Sequence, residues 1–179
     1  MTIETRSALE DSADGLYQKV CAFLFHEAIL LDSWELNAWL DLLEPDYRYV
    51  LTGPTIAMVG GTASKQPTDV VLMKDTLGSL RARVKQLTTP SLTLADNPRP
   101  IVRRYVANIL VSPGEAADTL FVRSNALIYR SRGHQDPPHI FSTSRRDTLL
   151  LAGDGFRLSR RDATLDEAVV GSRNISGLF

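Results

Sequence analysis

Residues 119–130 read TLFVRSNALIYR, and this stretch decides the fold class. Its β-branched and aromatic residues favour an extended strand, in which successive side chains point to opposite faces. One face then carries Phe121, Arg123, Asn125, Leu127 and Tyr129, and the other carries Leu120, Val122, Ser124, Ala126 and Ile128. We predict a long strand that presents a different set of side chains to each side of a sheet.

Three similar runs lie around this strand, at Val102–Val111, His139–Leu151 and Gly155–Ala163, and turns rich in Gly, Pro or Asp separate them. Long strands joined by local turns indicate an antiparallel meander. The segment Asp96–Pro100 precedes the meander, and its two prolines keep the residues before them out of the helical region. It therefore separates the meander from a different kind of structure.

Helical spacing dominates the first part of the chain. Ser12 or Asp11 is placed to cap a helix of about five turns, whose recurring positions are Leu16, Val20, Phe23, Leu24, Glu27 and Leu31. Asp32 and Glu35 resemble a capping box that starts a shorter helix, ended by Pro45. A third helix runs from Asp75 to Thr89, the strand signal Tyr47–Leu51 lies between, and residues 53–68 are expected to form a loop.

Helices followed by a curved meander give the α+β class. The length of 179 residues fits one domain, residues 1–179. Within it we expect an N-terminal arm over 1–13, a mainly helical part over 14–90 and the β-meander over 101–179.

Composition excludes several classes of protein. Apolar residues make up 44% and charged residues 23% of the chain, as in ordinary globular proteins. The apolar stretch Val20–Leu31 is too short to cross a bilayer, and residues 1–14 lack the features of a signal peptide, so we expect a cytoplasmic protein without a membrane segment. Basic residues form no run longer than two, which speaks against a nucleic-acid partner.

The net charge of −1 hides an uneven distribution. Residues 1–46 hold ten acidic and two basic residues, whereas residues 47–179 hold 18 basic and 11 acidic residues. The two parts are therefore expected to face each other or a shared partner. Sixteen of the 20 basic residues are arginine, which suits contacts in protein assemblies.

Few residues suggest catalysis or metal binding. Cys21 is the sole cysteine, which excludes a disulfide within the chain or a Cys-rich zinc or iron–sulfur site, and its apolar neighbours predict burial. His134 and His139, with Asp136 between them, supply the ligand types of a non-haem iron site. Pro137 and Pro138 break any regular helix there, so exposed loop histidines are the favoured interpretation.

Arginine pairs recur on three of the four predicted strands, at Arg103-Arg104, Arg145-Arg146 and Arg160-Arg161. Because alternation sends one member of each pair to each face, three guanidinium groups are expected to share one side of the sheet. One interpretation is a docking face for other subunits. The other is surface charge paired with Asp147, Asp162 and Asp166.

The order of these features resembles the small, β subunit of Rieske-type aromatic-ring-hydroxylating dioxygenases over nearly the whole chain. The matching segments are Phe25–Asp32, Trp39–Leu43, Tyr47–Tyr49, Leu80–Val84, Ala95–Pro98, Arg103–Arg104, Val106–Asn108, Ser124–Asn125, Tyr129–Arg130, Arg145–Asp147, Phe156–Leu158, Arg161, Leu165–Asp166 and Asn174–Ser176.

This resemblance implies a cone-shaped α+β barrel, similar to nuclear transport factor two and scytalone dehydratase, with the helices in the concavity of a curved, mostly antiparallel sheet. It implies a structural subunit of an α3β3 oxygenase for the catabolism of aromatic hydrocarbons. The partner α subunit would hold a Rieske [2Fe–2S] cluster and a mononuclear Fe(II), and this chain no cofactor. A Rieske centre needs two cysteines and two histidines, which agrees with the single Cys21.

An alternative function is a stand-alone dehydratase or isomerase of the same barrel fold. It would use His26 with Asp32 or Tyr49 as a general acid–base pair in the cone. The competing interpretation of His26 is a partly buried structural histidine.

Overall fold

The structure is a computed structural model, and it describes the backbone of residues 3–55, 58–59, 62–63, 68–89, 99–132 and 137–167. Three helices occur in these ranges: α1 (Ile3–Asp32), α2 (Leu36–Leu40) and α3 (Leu77–Thr88). Helix α1 begins well before Ser12, so most of the predicted arm is helical. Residues 3–13 contain neither Gly nor Pro, and nothing in them breaks a helix.

The junction between α1 and α2 differs from the prediction. Helix α1 ends in a Schellman motif, and the expected capping box at the start of α2 does not form. Trp34 adopts a left-handed conformation with φ of 61°. The Glu35 N–H donates to Leu30 O at 2.9 Å and the Trp34 N–H to Leu31 O at 3.3 Å, which is the bonding pattern of that motif. Glu35 is the N-cap of α2 without a side-chain cap bond, so the capping-box prediction is wrong.

Eight strands are present in the described ranges. They are β1 (Leu43–Thr55), β2 (Met58–Val59), β3 (Thr62–Ala63), β4 (Thr68–Thr76), β5 (Ile101–Pro113), β6 (Thr119–Ser131), β7 (His139–Ala152) and β8 (Gly155–Leu165). Six of them form one sheet in the order β4-β1-β8-β7-β6-β5, while β2 and β3 pair with each other. Among these described strands, β1 and β8 are the one parallel pair. The predicted meander and the α+β class are confirmed.

The region between β1 and α3 differs from the predicted loop. Strand β1 continues through Gly53-Pro54 to Thr55, and β4 returns beside it in antiparallel register. Gly53 and Pro54 are turn signals in sequence, but here they pair with Val70 and Asp69 near one edge of the sheet. Pro45 also lies inside β1, where the pairing with β8 is interrupted between Leu43 and Arg48, and it does not end a helix.

The pairing of neighbouring strands is irregular at several points in the sheet. The register shifts between Leu51 and Thr52, between Ala107 and Leu110, and between Thr148 and Leu149. Asn108 has a positive φ of 54° within the second of these irregularities. Bulges of this kind bend strands and increase their twist, which gives the sheet its curvature.

The helices pack on one face of the sheet and bury the core there. Helix α1 contacts β5 and β8, and α3 contacts β1 and β4. Val20, Leu24 and Leu31 of α1 are buried in this core. Cys21 is half-buried, which corrects the prediction that it is a buried residue.

A capping box formed by Thr76 and Ser79 begins α3, and its contribution to stability can be measured with a single substitution. Thr76 Oγ1 accepts a hydrogen bond from the Ser79 N–H at 3.4 Å, and Ser79 Oγ accepts one from the Thr76 N–H at 2.8 Å. We expect Thr76→Ala to lower the free energy of unfolding by about 1 kcal/mol, because the first turn loses an acceptor. Thermal denaturation should show a melting temperature lower by about 2–4 °C. Thr76→Ser keeps the oxygen and should stay close to wild type.

Candidate functional site

The three arginine pairs divide between the two faces of the sheet, as strand alternation predicts. Arg145 and Arg161 are buried on the helix-covered inner face, and the Arg104 side chain is also almost fully covered. The preceding or following member of each pair, Arg103, Arg146 and Arg160, is exposed on the outer face. Each face of the sheet therefore carries three guanidinium groups, as predicted. Those on the inner face lie in the protein core and not on a surface.

Arg161 is the centre of the inner cluster. It lies directly opposite Asp147 in the β7–β8 register. Its Nε and Nη2 donate to Asp147 Oδ1 and Oδ2, both at 2.8 Å. Its Nη1 and Nη2 donate to Glu27 Oε1 and Oε2 of α1 at 2.8 and 2.7 Å. Four of the five guanidinium N–H groups are thus used on two carboxylates.

Glu27 is fully buried on α1 and remains charged. Its Oε1 also accepts a hydrogen bond from Trp39 Nε1 at 3.2 Å. Burial alone would raise the pKa of Glu27, but the charge and hydrogen bonds of Arg161, together with Arg145 and Trp39, lower it from 4.5 to about 2. Glu27 is therefore an ion-pair partner at neutral pH and is not available as a proton acceptor.

Arg145 and two tyrosines surround this ion pair. Arg145 donates from Nε to Ser124 Oγ at 3.3 Å, and burial and nearby Arg161 lower its pKa. Burial raises the pKa of both Tyr47 and Tyr49, so their hydroxyl groups stay protonated. Arg145 is therefore held by a neutral hydroxyl group, beside the ion pair of Arg161 and two uncharged tyrosines.

Arg104 makes a second link between helix and sheet. Its Nη1 donates to Asp32 Oδ1 at 2.6 Å, and its backbone N–H donates to Asp32 Oδ2 at 3.0 Å. Asp32 is the last residue of α1, so this pair fixes the end of the helix against β5. It also explains why Asp32 does not cap α2.

The outer face is basic and partly apolar. Arg160 holds Asp162 through two hydrogen bonds of 2.7 and 3.1 Å, and Arg157 lies 3.9 Å from Glu44. Tyr105 and Leu127 are directly opposite each other and are 63% and 50% exposed. Of the expected pairings with acids, Arg160–Asp162 forms at the surface, Arg161–Asp147 forms in the core, and Asp166 instead accepts from Ser142.

Comparison with known proteins identifies the family. The family model for the ring hydroxylating beta subunit matches residues 26–172, which include both helix–sheet ion pairs. The chain belongs to the ring-hydroxylating β-subunit family. It is a β subunit of aromatic ring-hydroxylating dioxygenases, the oxidoreductase family that its sequence resembles.

Solved structures share its fold. A naphthalene 1,2-dioxygenase chain with indole bound in the active site has a TM-score of 0.80 at 20% identity, covering 93% of this chain and 86% of that one. The β subunit of benzoate 1,2-dioxygenase from Burkholderia mallei has a TM-score of 0.66 at 20% identity, covering 89% and 95%. An NTF2-like protein from Novosphingobium aromaticivorans, with a cystatin-like fold, has a TM-score of 0.57 at 17% identity, covering 96% and 93%. The cone-shaped barrel class is confirmed.

The histidines of this β subunit do not come together with the other residues of the alternative enzyme site. His26 is exposed on α1, Tyr49 is buried under the sheet, and Asp32 is held by Arg104. His139 opens β7, is half-buried and contacts Glu167 Oε2 through Nε2 at 3.0 Å. His134 and Asp136 lie outside the described residues, and the described part has no group of three residues suited to a metal ion.

Among the described residues, no helix meets the length and hydropathy needed to cross a bilayer.

Sequence reasoning missed Glu27 and Asp147 as members of the central cluster of the β subunit. The signal for Glu27 was present, because it occupies an apolar position of α1 in line with Val20, Leu24 and Leu31. A carboxylate in such a stripe needs a buried partner. Arg161 lies 134 residues away, and only the packing of α1 on β8 shows that it is this partner.

The Glu27 pKa predicts an acid-sensitive fold. Because the pKa of Glu27 is lowered in the folded state, its ionisation stabilises the protein above pH 4.5, and this stability is lost as the pH falls toward 2. The shift corresponds to about 3 kcal/mol. Urea unfolding measured between pH 6 and 2 should show this loss in wild type and a clearly smaller one in Glu27→Gln. An equal pH dependence in both proteins would contradict the assignment.

Removal of Arg161 should lower the free energy of unfolding more than neutralisation of either Glu27 or Asp147. Arg161→Met leaves Glu27 and Asp147 buried without their shared cation, and we expect a loss of about 3–5 kcal/mol in unfolding free energy. The triple change Arg161→Met, Glu27→Gln and Asp147→Asn should recover part of this loss. If Arg161→Met alone has the same unfolding free energy in urea as wild type, the cluster is not required for the fold.

Proposed function

We propose that this β subunit is a structural and assembly subunit of a cytoplasmic α3β3 oxygenase. The complex cis-dihydroxylates aromatic compounds with O2 and with electrons that reach it from NAD(P)H through an electron-transfer chain. The larger α subunit carries the Rieske [2Fe–2S] cluster and the mononuclear Fe(II). The β chain supplies a stable surface on which the complex assembles.

The observation that carries this proposal is the ion cluster in the cone. Glu27 and Asp147 are 1% and 2% exposed, and both are bound to Arg161. General acid–base catalysis needs a group that is free to exchange a proton with a substrate. Glu27 and Asp147 instead form buried ion pairs that hold α1 against the sheet. This arrangement supports a structural role for the chain.

The residues of the chain do not fit a Rieske cluster. Such a cluster takes two Cys and two His ligands, and Cys21 is the single cysteine. The facial triad of a mononuclear iron takes two histidines and one carboxylate. His26 lies on α1 and His139 on β7, where it contacts Glu167. The described residues contain no group of three His, Cys, Asp or Glu side chains suited to a metal ion. We assign both metal centres to the partner.

The exposed arginines of the outer face remain candidates for a subunit interface, because the other member of each pair is covered. Arg103, Arg146 and Arg160 are exposed there, beside apolar side chains such as Tyr105 and Leu127. Arginine and exposed aromatic residues are typical of protein interfaces. Arg104 and Arg161 contribute indirectly, because they hold the sheet against α1 from inside. Arg145 instead links β7 to Ser124 on β6.

Isolation of the tagged chain from its native host, followed by native mass spectrometry and iron analysis, tests the proposal. We expect a larger iron–sulfur protein in equal stoichiometry, with a mass of the complex that fits three copies of each. With NADH and the electron-transfer proteins of the host, the complex should convert an arene to a cis-dihydrodiol. An iron-free homo-oligomer that dehydrates a hydroxylated aromatic compound, and loses this activity in His26→Ala, would support the alternative enzyme instead.

A further inference from the structure

A groove crosses three strands on the outer face, beside the irregularity in β5. Its volume is about 280 Å³. Its lining consists of Asn108 and Leu110 of β5, Arg123, Ser124 and Asn125 of β6, and Ser144, Arg145 and Arg146 of β7; the Ser124 and Arg145 side chains are buried, whereas the other six residues are exposed. Asn108 has its positive φ here, where the β5–β6 pairing shifts between Ala107 and Leu110. The bulge therefore forms one wall, and β6 and β7 form the floor.

Two arginines face each other across this floor. Arg123 on β6 and Arg146 on β7 are direct register partners, and both are exposed. Like charges directly opposite each other destabilise a sheet. Within the described part of the chain, neither arginine has an ion-pair partner. Asp162, the acid opposite Arg146 on β8, is held by Arg160.

The remaining polar groups of the groove also suit a negatively charged ligand. Asn125 and Ser144 are the next register pair on the same face of the sheet, and both can donate hydrogen bonds. Among the described residues, no carboxylate lines the groove. Two guanidinium groups side by side, with amide and hydroxyl donors next to them, match a carboxylate through paired N–H···O bonds.

The surroundings point to a protein ligand. Leu110, at the wall of the groove, is 59% exposed, and Phe121 is exposed on the same face of β6. Apolar side chains next to an arginine pair fit a partner surface that combines an acidic and an apolar side chain. A symmetric face-to-face pair of this chain would bring the arginines toward those of its copy, so charge complementarity requires a different surface.

We propose that this groove, the Arg123–Arg146 groove, receives an aspartate or glutamate side chain of the α subunit when the oxygenase assembles. The inference rests on the proposed function, and it names the chemistry of one contact in that assembly. The cross-strand repulsion is a cost to the isolated chain, and the partner's carboxylate removes it on binding.

The test compares Arg123→Gln/Arg146→Gln with the control Arg157→Gln, an exposed arginine of the same sheet that lies near Glu44 in its own chain. We expect the double variant to melt about 1–2 °C above wild type as an isolated subunit, because the repulsion is gone. Its dissociation constant for the α subunit should rise about tenfold or more. High salt should weaken the wild-type complex more than the variant complex, and the control should match wild type throughout.

Several outcomes would overturn the inference. A double variant that binds the α subunit as tightly as wild type would show that the groove is not this contact, while the proposed function would stand. Loss of self-association instead of α binding would assign the groove to a second copy. Stabilisation of the isolated wild type, but not the variant, by millimolar phosphate or acetate would identify a free-anion site. Failure of the wild-type chain to bind any α subunit would contradict the proposed function itself.

Discussion

The ion pairs that Arg161 forms with Glu27 and Asp147 are the constraint on which the rest of this structure depends. They join one side chain from α1, one from β7 and one from β8 in a region that water does not reach. Ion pairs in such a place are costly to desolvate, and they persist only with good geometry and full hydrogen bonding. The four short hydrogen bonds of Arg161 meet that condition. The position of α1 along the sheet is therefore fixed by direction-dependent contacts as well as by apolar packing.

Strand alternation is the property that sequence reasoning captured best. The pattern of Thr119–Ser131 gives its two faces directly, and each Arg-Arg pair divides between the faces as expected. Alternation alone does not say which face is covered by helices. Arg145 and Arg161 therefore looked like surface residues, although both are buried. The acidic partners of Arg161 come from β7 and from α1, and local spacing contains no information about such distant contacts.

Local signals near the helix ends and turns were less reliable because several conformations compete for them. Asp32 and Glu35 have the spacing of a capping box, but the charge of Arg104 binds Asp32 more favourably than a backbone N–H would. Trp34 then takes the left-handed position that glycine usually occupies, and the Arg99 guanidinium lies 5.0 Å from the centre of its ring. Gly53-Pro54 looked like a turn, whereas its position beside β4 near one edge of the sheet allows it to remain in a strand. In each case the tertiary contact outweighs the local preference.

The two faces of the sheet differ in charge balance, and this difference connects the fold with assembly. On the inner face, Arg104 is paired with Asp32, and Arg161 is paired with both Glu27 and Asp147. Unbalanced charge in the core would oppose folding, so the sequence had to supply these acids within one chain. On the outer face water screens each charge, and folding does not require a matching acid for every arginine. Positive charge that folding leaves unmatched on this face is available to bind acidic groups of another subunit.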